Sequence, residues 1–153
     1  MPNSALTALA AAVLHLPEPP ERILEIGCGS GDGVLFLARE FPSARVRGID
    51  ASGEAVAAAV ARVGLDPEGR VAFKQGGPRR LPYPTDHFDL AVQTGGNLHP
   101  GAIAKVLRPG GRLILAGRWR LLDWRLRSAG FEALESGEVE GAPFHLARLH
   151  GDG

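Results

Sequence analysis

Between Ile23 and Gly33 the chain reads ILEIGCGSGDG, with glycines at 27, 29, 31 and 33 directly after an apolar run that carries Glu25. Glycine has no Cβ, so such a run lets the backbone turn sharply and approach a ligand to van der Waals contact. A helical pattern begins near Gly33, and its first turn would aim N–H groups and a partial positive charge at the same place. The chemistry on offer is the binding of a polar or anionic group by backbone. Cys28 lies inside this run and is the only cysteine. With no base or cation beside it in sequence, it reads as a small packed side chain rather than a nucleophile. In QTGGNLHP, after the fourth apolar stretch, His99 is the nearest candidate base. No carboxylate and histidine grouping has the spacing of a metal site.

These residues need elements to position them, and the chain alternates accordingly. Strands are expected at Arg22–Ile26, Ala44–Asp50, Arg70–Gln75, Phe88–Thr94 and Arg112–Gly117. Helices are expected from Gly33 to Phe41, closed by Pro42, and from Ser52 as N-cap to Gly64 just past the end. A short helix from Gly101 to Leu107 should end at RPGG. The tail predicts a helix at Trp119–Ala129 and a hairpin of Phe131–Val139 with Phe144–His150. Near the start, Leu6, Leu9 and Val13 share one face of an amphipathic helix capped at Asn3 or Ser4. This is α/β alternation: a doubly wound, mostly parallel sheet with helices on both faces and a C-terminal antiparallel hairpin, in a single domain over 1–153. Ligands of such sheets bind beyond the carboxyl ends of the strands, where the glycine run lies.

Spacing narrows the ligand. G-x-G-x-x-G fails in both registers, because Gly27 leads to Asp32 and Gly29 leads to Val34, and no lysine completes a P-loop. EIGCGSG instead resembles the first motif of class I S-adenosylmethionine-dependent methyltransferases. GID ending at Asp50 is similar to that family's second-strand acid, RLPYPTDHFDLAV to its approach to the fourth strand, and VLRPGGRLIL to its approach to the fifth. The resemblance implies S-adenosylmethionine as cofactor and methyl transfer as the reaction. It implies that the backbone of Gly27, Gly29 and Gly31 receives the amino-acid end, with Glu25 holding the loop and orienting the ammonium group. Asp50 would accept both ribose hydroxyls, Ala51 and Leu81 would flank the adenine, and Gln93 would line the space toward which the methyl group points. Gly77 stands where the family commonly has an acid for the adenine amine, and Pro78 follows where a ring-binding N–H is expected. Neither can supply that contact.

The chain has 153 residues, 44% of them hydrophobic, and a formal net charge of zero. That argues against the global positive charge of nonspecific nucleic-acid binders. On the tail helix Arg120 and Arg127 would share the solvated face opposite Leu121, Leu122 and Leu126, with Arg118 and Arg125 at the edge of the apolar side, so nucleic acid is not an expected partner, and neither is a membrane. One cysteine fits a cytoplasmic setting. The methyl acceptor is left unidentified. With about twenty residues before the first strand and a short link from the fourth strand to the fifth, little chain is expected to enclose it. A large acceptor, or a homo-oligomer whose neighbour supplies a lid, would meet that need. The alternative is a catalytically silent methyltransferase-like domain acting as a binding or interaction module.

Overall fold

The computed structural model describes residues 4–151. In chain order the elements are α1 (Ser4–Val13), β1 (Arg22–Ile26), α2 (Asp32–Glu40), β2 (Arg45–Asp50), α3 (Gly53–Val63) and β3 (Val71–Gln75). There follow β4 (Phe88–Gln93), α4 (Pro100–Val106), β5 (Leu107–Ala116), α5 (Leu122–Ser128), β6 (Phe131–Val139) and β7 (Ala142–Leu149). One seven-stranded sheet runs β3-β2-β1-β4-β5-β7-β6. The first five strands are mutually parallel, and β7 is antiparallel to both β5 and β6. The order reverses between β1 and β4, which opens a crevice at their carboxyl ends. Of the two expected caps for α1, Ser4 begins the helix and Asn3 lies outside the described residues.

Alternation along the strands divides the core into two layers. Ile23, Leu90, Val92 and Ile114 face α1 and α2, meeting Leu9, Val13, Val34 and Leu37. Leu24, Ile26, Ala91 and Leu115 face the other way, toward Ile103 and Val106 of α4 and Leu122 and Leu126 of α5. This period of two also decides where the polar residues go. Glu25 shares the face of Ile23, beneath α2, and Gln93 shares the face of Ala91, bonded to the loop that leads to α4.

Three sequence expectations need correction. β5 begins at Leu107 rather than Arg112, because Phe88 pairs with Leu107 before the register slips so that Leu90 pairs with Arg112. The irregularity carries Pro109 and Gly110 inside the strand, as a bulge permits. β7 begins at Ala142 because the hairpin closes in only two residues, Glu140 and Gly141, both at positive φ. α5 begins at Leu122, since Leu121 has φ 56° and the Trp119 indole is tied to the Gly96 carbonyl at 2.9 Å. Arg118 and Arg120 therefore lie before the helix, so the solvated face expected for Arg120 with Arg127 does not form.

Candidate functional site

The glycine loop leaves β1 at the crevice and is held from below by its own chain. Gly27 N–H and Cys28 N–H both donate to the Ile49 carbonyl, at 2.8 and 3.0 Å, and Gly31 N–H donates to the Cys28 carbonyl. Gly27, Gly29 and Gly31 have φ of 71°, 54° and 98°, a left-handed region that side chains disfavour. A Cβ at Gly27 or Gly29 would meet nothing within 4 Å, so the upper surface of the loop is an open cradle of bare backbone. Gly31 is needed for packing, because a Cβ there would lie 3.3 Å from that of Ala59 on α3. Several loop N–H groups are thus spent internally, and what the loop presents to a ligand is chiefly space.

Asp50 ties this loop to the end of β2. One carboxylate oxygen accepts the Gly29 N–H at 2.8 Å and the other accepts the Ser52 N–H at 2.9 Å. A carboxylate offers about four acceptor sites, so two remain for a diol. Ser52 caps α3 by accepting the Ala55 N–H at 3.1 Å. Ala51 follows Asp50 and is exposed at the mouth of the crevice.

Glu25 is almost wholly buried under the first turn of α2, where any side chain at Gly33 would run into its carboxylate. Burial pushes its pKa up to about 8, against a hydrogen bond from the Val34 N–H that acts the other way. Oε1 has no hydrogen-bond partner. Burial likewise pushes the Cys28 thiol up to about 12, which makes it the inert packed side chain its sequence context implies.

Gln93 is 2% exposed at the end of β4, in register with Ile26. Its amide donates to the carbonyls of Gly95 and Asn97 at 2.9 and 2.8 Å, and its Oε1 has no partner. Gly77 is exposed, lacks a positive φ and has open space where a Cβ would stand. Leu81 packs in the loop before β4, whose Tyr83 lies under Lys74 Nζ at 4.9 Å from the ring centroid. His99 precedes α4 and lines a cavity of about 360 Å³ with Arg79, Trp119 and Arg125. The structure therefore brings Glu25, Gly27, Gly29, Gly31, Asp50 and Ala51 to one crevice, with Gln93 one strand away, and sets His99 in the neighbouring cavity.

The profile of the family described as "Methyltransferase domain" matches residues 23–111, from the start of β1 into β5. The chain belongs to this family. Among curated relatives of this methyltransferase domain, the fatty-acid O-methyltransferase of Mycolicibacterium smegmatis is 31% identical over 114 residues, covering 68% of this chain and 40% of that protein. The domain spans about two fifths of the length of this and other curated relatives. Its fold is that of a S-adenosylmethionine-dependent methyltransferase from Aquifex aeolicus, with TM-score 0.77, 19% identity, and 97% and 93% of the two chains covered. The [4+2]-cyclase SpnF shares it too, with TM-score 0.80, 22% identity, and coverage of 97% and 82%.

Arg62, Arg79 and Trp119 belong to no motif that marks them as site candidates in the sequence, and Arg125 reads only as one of the tail's basic cluster. Arg62 reaches from the last turn of α3 to the Ser30 carbonyl at 2.9 Å and to Asp32 at 2.7 Å, bracing the glycine loop. Arg79, Trp119 and Arg125 come from three separate segments and meet only in the folded chain. Among the described residues no helix is long and apolar enough to cross a membrane, and no group of three or more His, Cys, Asp or Glu could hold a metal ion.

Proposed function

We propose that this domain binds S-adenosylmethionine across the carboxyl ends of β1 and β2 and transfers a methyl group to an acceptor seated beyond β4. One observation carries the reading: a bare-backbone cradle at Gly27 and Gly29, pinned by an Asp50 carboxylate that still has acceptor capacity. The groups present fit the cofactor's chemistry. Asp50 suits a pair of ribose hydroxyls, and the unpartnered Oε1 of Glu25 would accept from an ammonium group, directly or through water, once the carboxyl has given up its proton. Ala51 and Leu81 are apolar flanks for a purine. When bound, the sulfonium supplies an electrophilic methyl group, and the protein's part is to hold a nucleophile in line with it. Gln93 cannot exchange a proton and serves to shape that space. A cytoplasmic setting accords with the free, buried thiol of Cys28.

Calorimetry with S-adenosylmethionine and with NAD, side by side, tests this. Binding of the first alone is expected, and binding of NAD alone would refute the reading. A second reading, a silent module, draws on Gly77 and Pro78, which leave the adenine edge without a carboxylate or ring-binding N–H. It predicts no methyl transfer to any acceptor by a protein that folds normally.

A further inference from the structure

The cavity beside Gln93 has a composition that the cofactor does not explain. It is lined by Arg79 from the loop after β3, Asn97 and His99 from the loop after β4, Trp119 from the loop after β5, and Arg125 of α5. Neither aspartate nor glutamate lines it. Among the described residues the ion pairs are Arg62 with Asp32, Arg118 with Glu138 and Arg148 with Glu132, so both arginines of the cavity lack an anionic partner. Among the described residues the Arg125 side chain donates one hydrogen bond, to the Leu98 carbonyl, and the Arg79 side chain donates none. Arg79 also lines an adjoining cavity of about 560 Å³, whose other charged residues are Arg80 and Lys105. A concave surface with several cations and no acid concentrates anions. The Trp119 ring gives the same cavity an apolar wall.

Gln93 connects the two compartments: it pairs in register with Ile26 at the glycine loop, and its amide holds the Gly95–Asn97 turn that forms the cavity's edge. Glu25 lies under that loop, outside the cavity. The lining offers one candidate base, His99, and an acceptor already deprotonated at neutral pH makes no demand on it.

Resting on the methyl-transfer reading above, we propose that this cavity is the acceptor subsite and that the acceptor is a small organic carboxylate, held by Arg79 and Arg125 with its hydrocarbon part against Trp119. Guanidinium groups suit carboxylates, which keep acceptor sites beyond those the arginines occupy. The free lone pair of the carboxylate oxygen forms an O–CH3 bond as the S–CH3 bond breaks, and that bond's electron pair stays on sulfur. The products are a methyl ester and a neutral thioether, with no proton released.

The test uses the whole chain. Calorimetry with S-adenosylhomocysteine comes first, and failure to bind it sinks the methyl-transfer reading and this proposal together. On the saturated protein, benzoate, decanoate and tricarballylate are then titrated against their own amides. At least one acid should bind tenfold or more tightly than its amide. Arg79→Gln should lose that preference while melting at the same temperature and binding S-adenosylhomocysteine normally, and Arg79→Lys should keep part of it. With S-adenosylmethionine, the preferred acid should gain a methyl group that mild base releases as methanol, and a pH indicator should register no acidification. Normal cofactor binding with no acid preferred over its amide overturns the proposal alone, as does transfer to a hydroxyl or amine with a proton released.

Discussion

At the scale of single residues, Asp50 has two duties that a simple deletion would confound. Its oxygens satisfy Gly29 and Ser52, and the same group is proposed to grip the ribose. Asp50→Ala should weaken S-adenosylmethionine binding at least about tenfold, since a hydrogen bond to a charged group is worth about 1.5–3 kcal/mol. It should also lower the melting temperature, whereas Asp50→Asn keeps one acceptor for the backbone and should melt closer to the parent while still binding weakly. Thermal melts and calorimetry on both variants separate the duties, and full affinity in either would remove Asp50 from the site. Glu25 makes a pH prediction. Its folded pKa of about 8 stands above the ordinary 4.5, so the folded state holds a proton that the unfolded chain has lost. That contribution to stability is complete below about 4.5 and is lost as pH rises through about 8. Glu25→Gln, a neutral isostere, should therefore gain in melting temperature relative to the parent from pH 5 to pH 8.5. A constant difference across that range would show that Glu25 does not titrate there.

At the scale of elements, the loop is shaped by what lies under it. Gly48 on β2 leaves room for Cys28 and Phe73, since a Cβ would stand 2.9 Å from the Cys28 sulfur and 2.8 Å from a Phe73 ring carbon. Neither neighbour is the free end of a flexible chain. Gly48→Ala should cost about 1–3 kcal/mol, typical of an overfilled core, and should weaken cofactor binding by moving the loop that Cys28 belongs to. Chemical denaturation together with calorimetry checks both effects. A stable Gly48→Ala protein with full affinity would mean that β2 and the loop are not mechanically joined. The helix signals were legible for a different reason. Ser52 and Gly64 act locally, a side-chain oxygen on the Ala55 N–H and a backbone at φ 66°, so α3 has the limits read from the chain. The start of α5 depends on the Trp119 indole reaching the Gly96 carbonyl 23 residues away, which no local pattern records.

At the scale of the whole molecule, the sheet separates two cores that do not share side chains. Leu9 is fully buried on the α1 side, and Ile103 is 1% exposed on the α4 side. Each truncation to alanine should cost about 2–5 kcal/mol. Because the two sites lie in separate clusters across the sheet, the double mutant should equal the sum of the single costs within about 0.5 kcal/mol. Denaturant melts of the three variants measure this, and a large coupling would show that the layers respond as one.

Amino-acid order alone determined the strand and helix succession, the glycine cradle and the acid at the end of β2. Those features rest on local physics: alternation with period two, side-chain caps, and backbone angles open chiefly to glycine. Gln93 is picked out by the resemblance to the methyltransferase family and not by local physics. Only the tertiary structure decided that Glu25 lies beneath α2 with its pKa raised, since burial depends on what packs above it. It alone decided that Arg118 and Arg120 leave the helix, that Arg62 braces the loop, and that Arg79, Trp119 and Arg125 share one cavity. Arg79 follows β3 whereas Trp119 and Arg125 follow β5, and their meeting is set by the strand order β3-β2-β1-β4-β5, a property of the packed sheet that no short window of residues encodes.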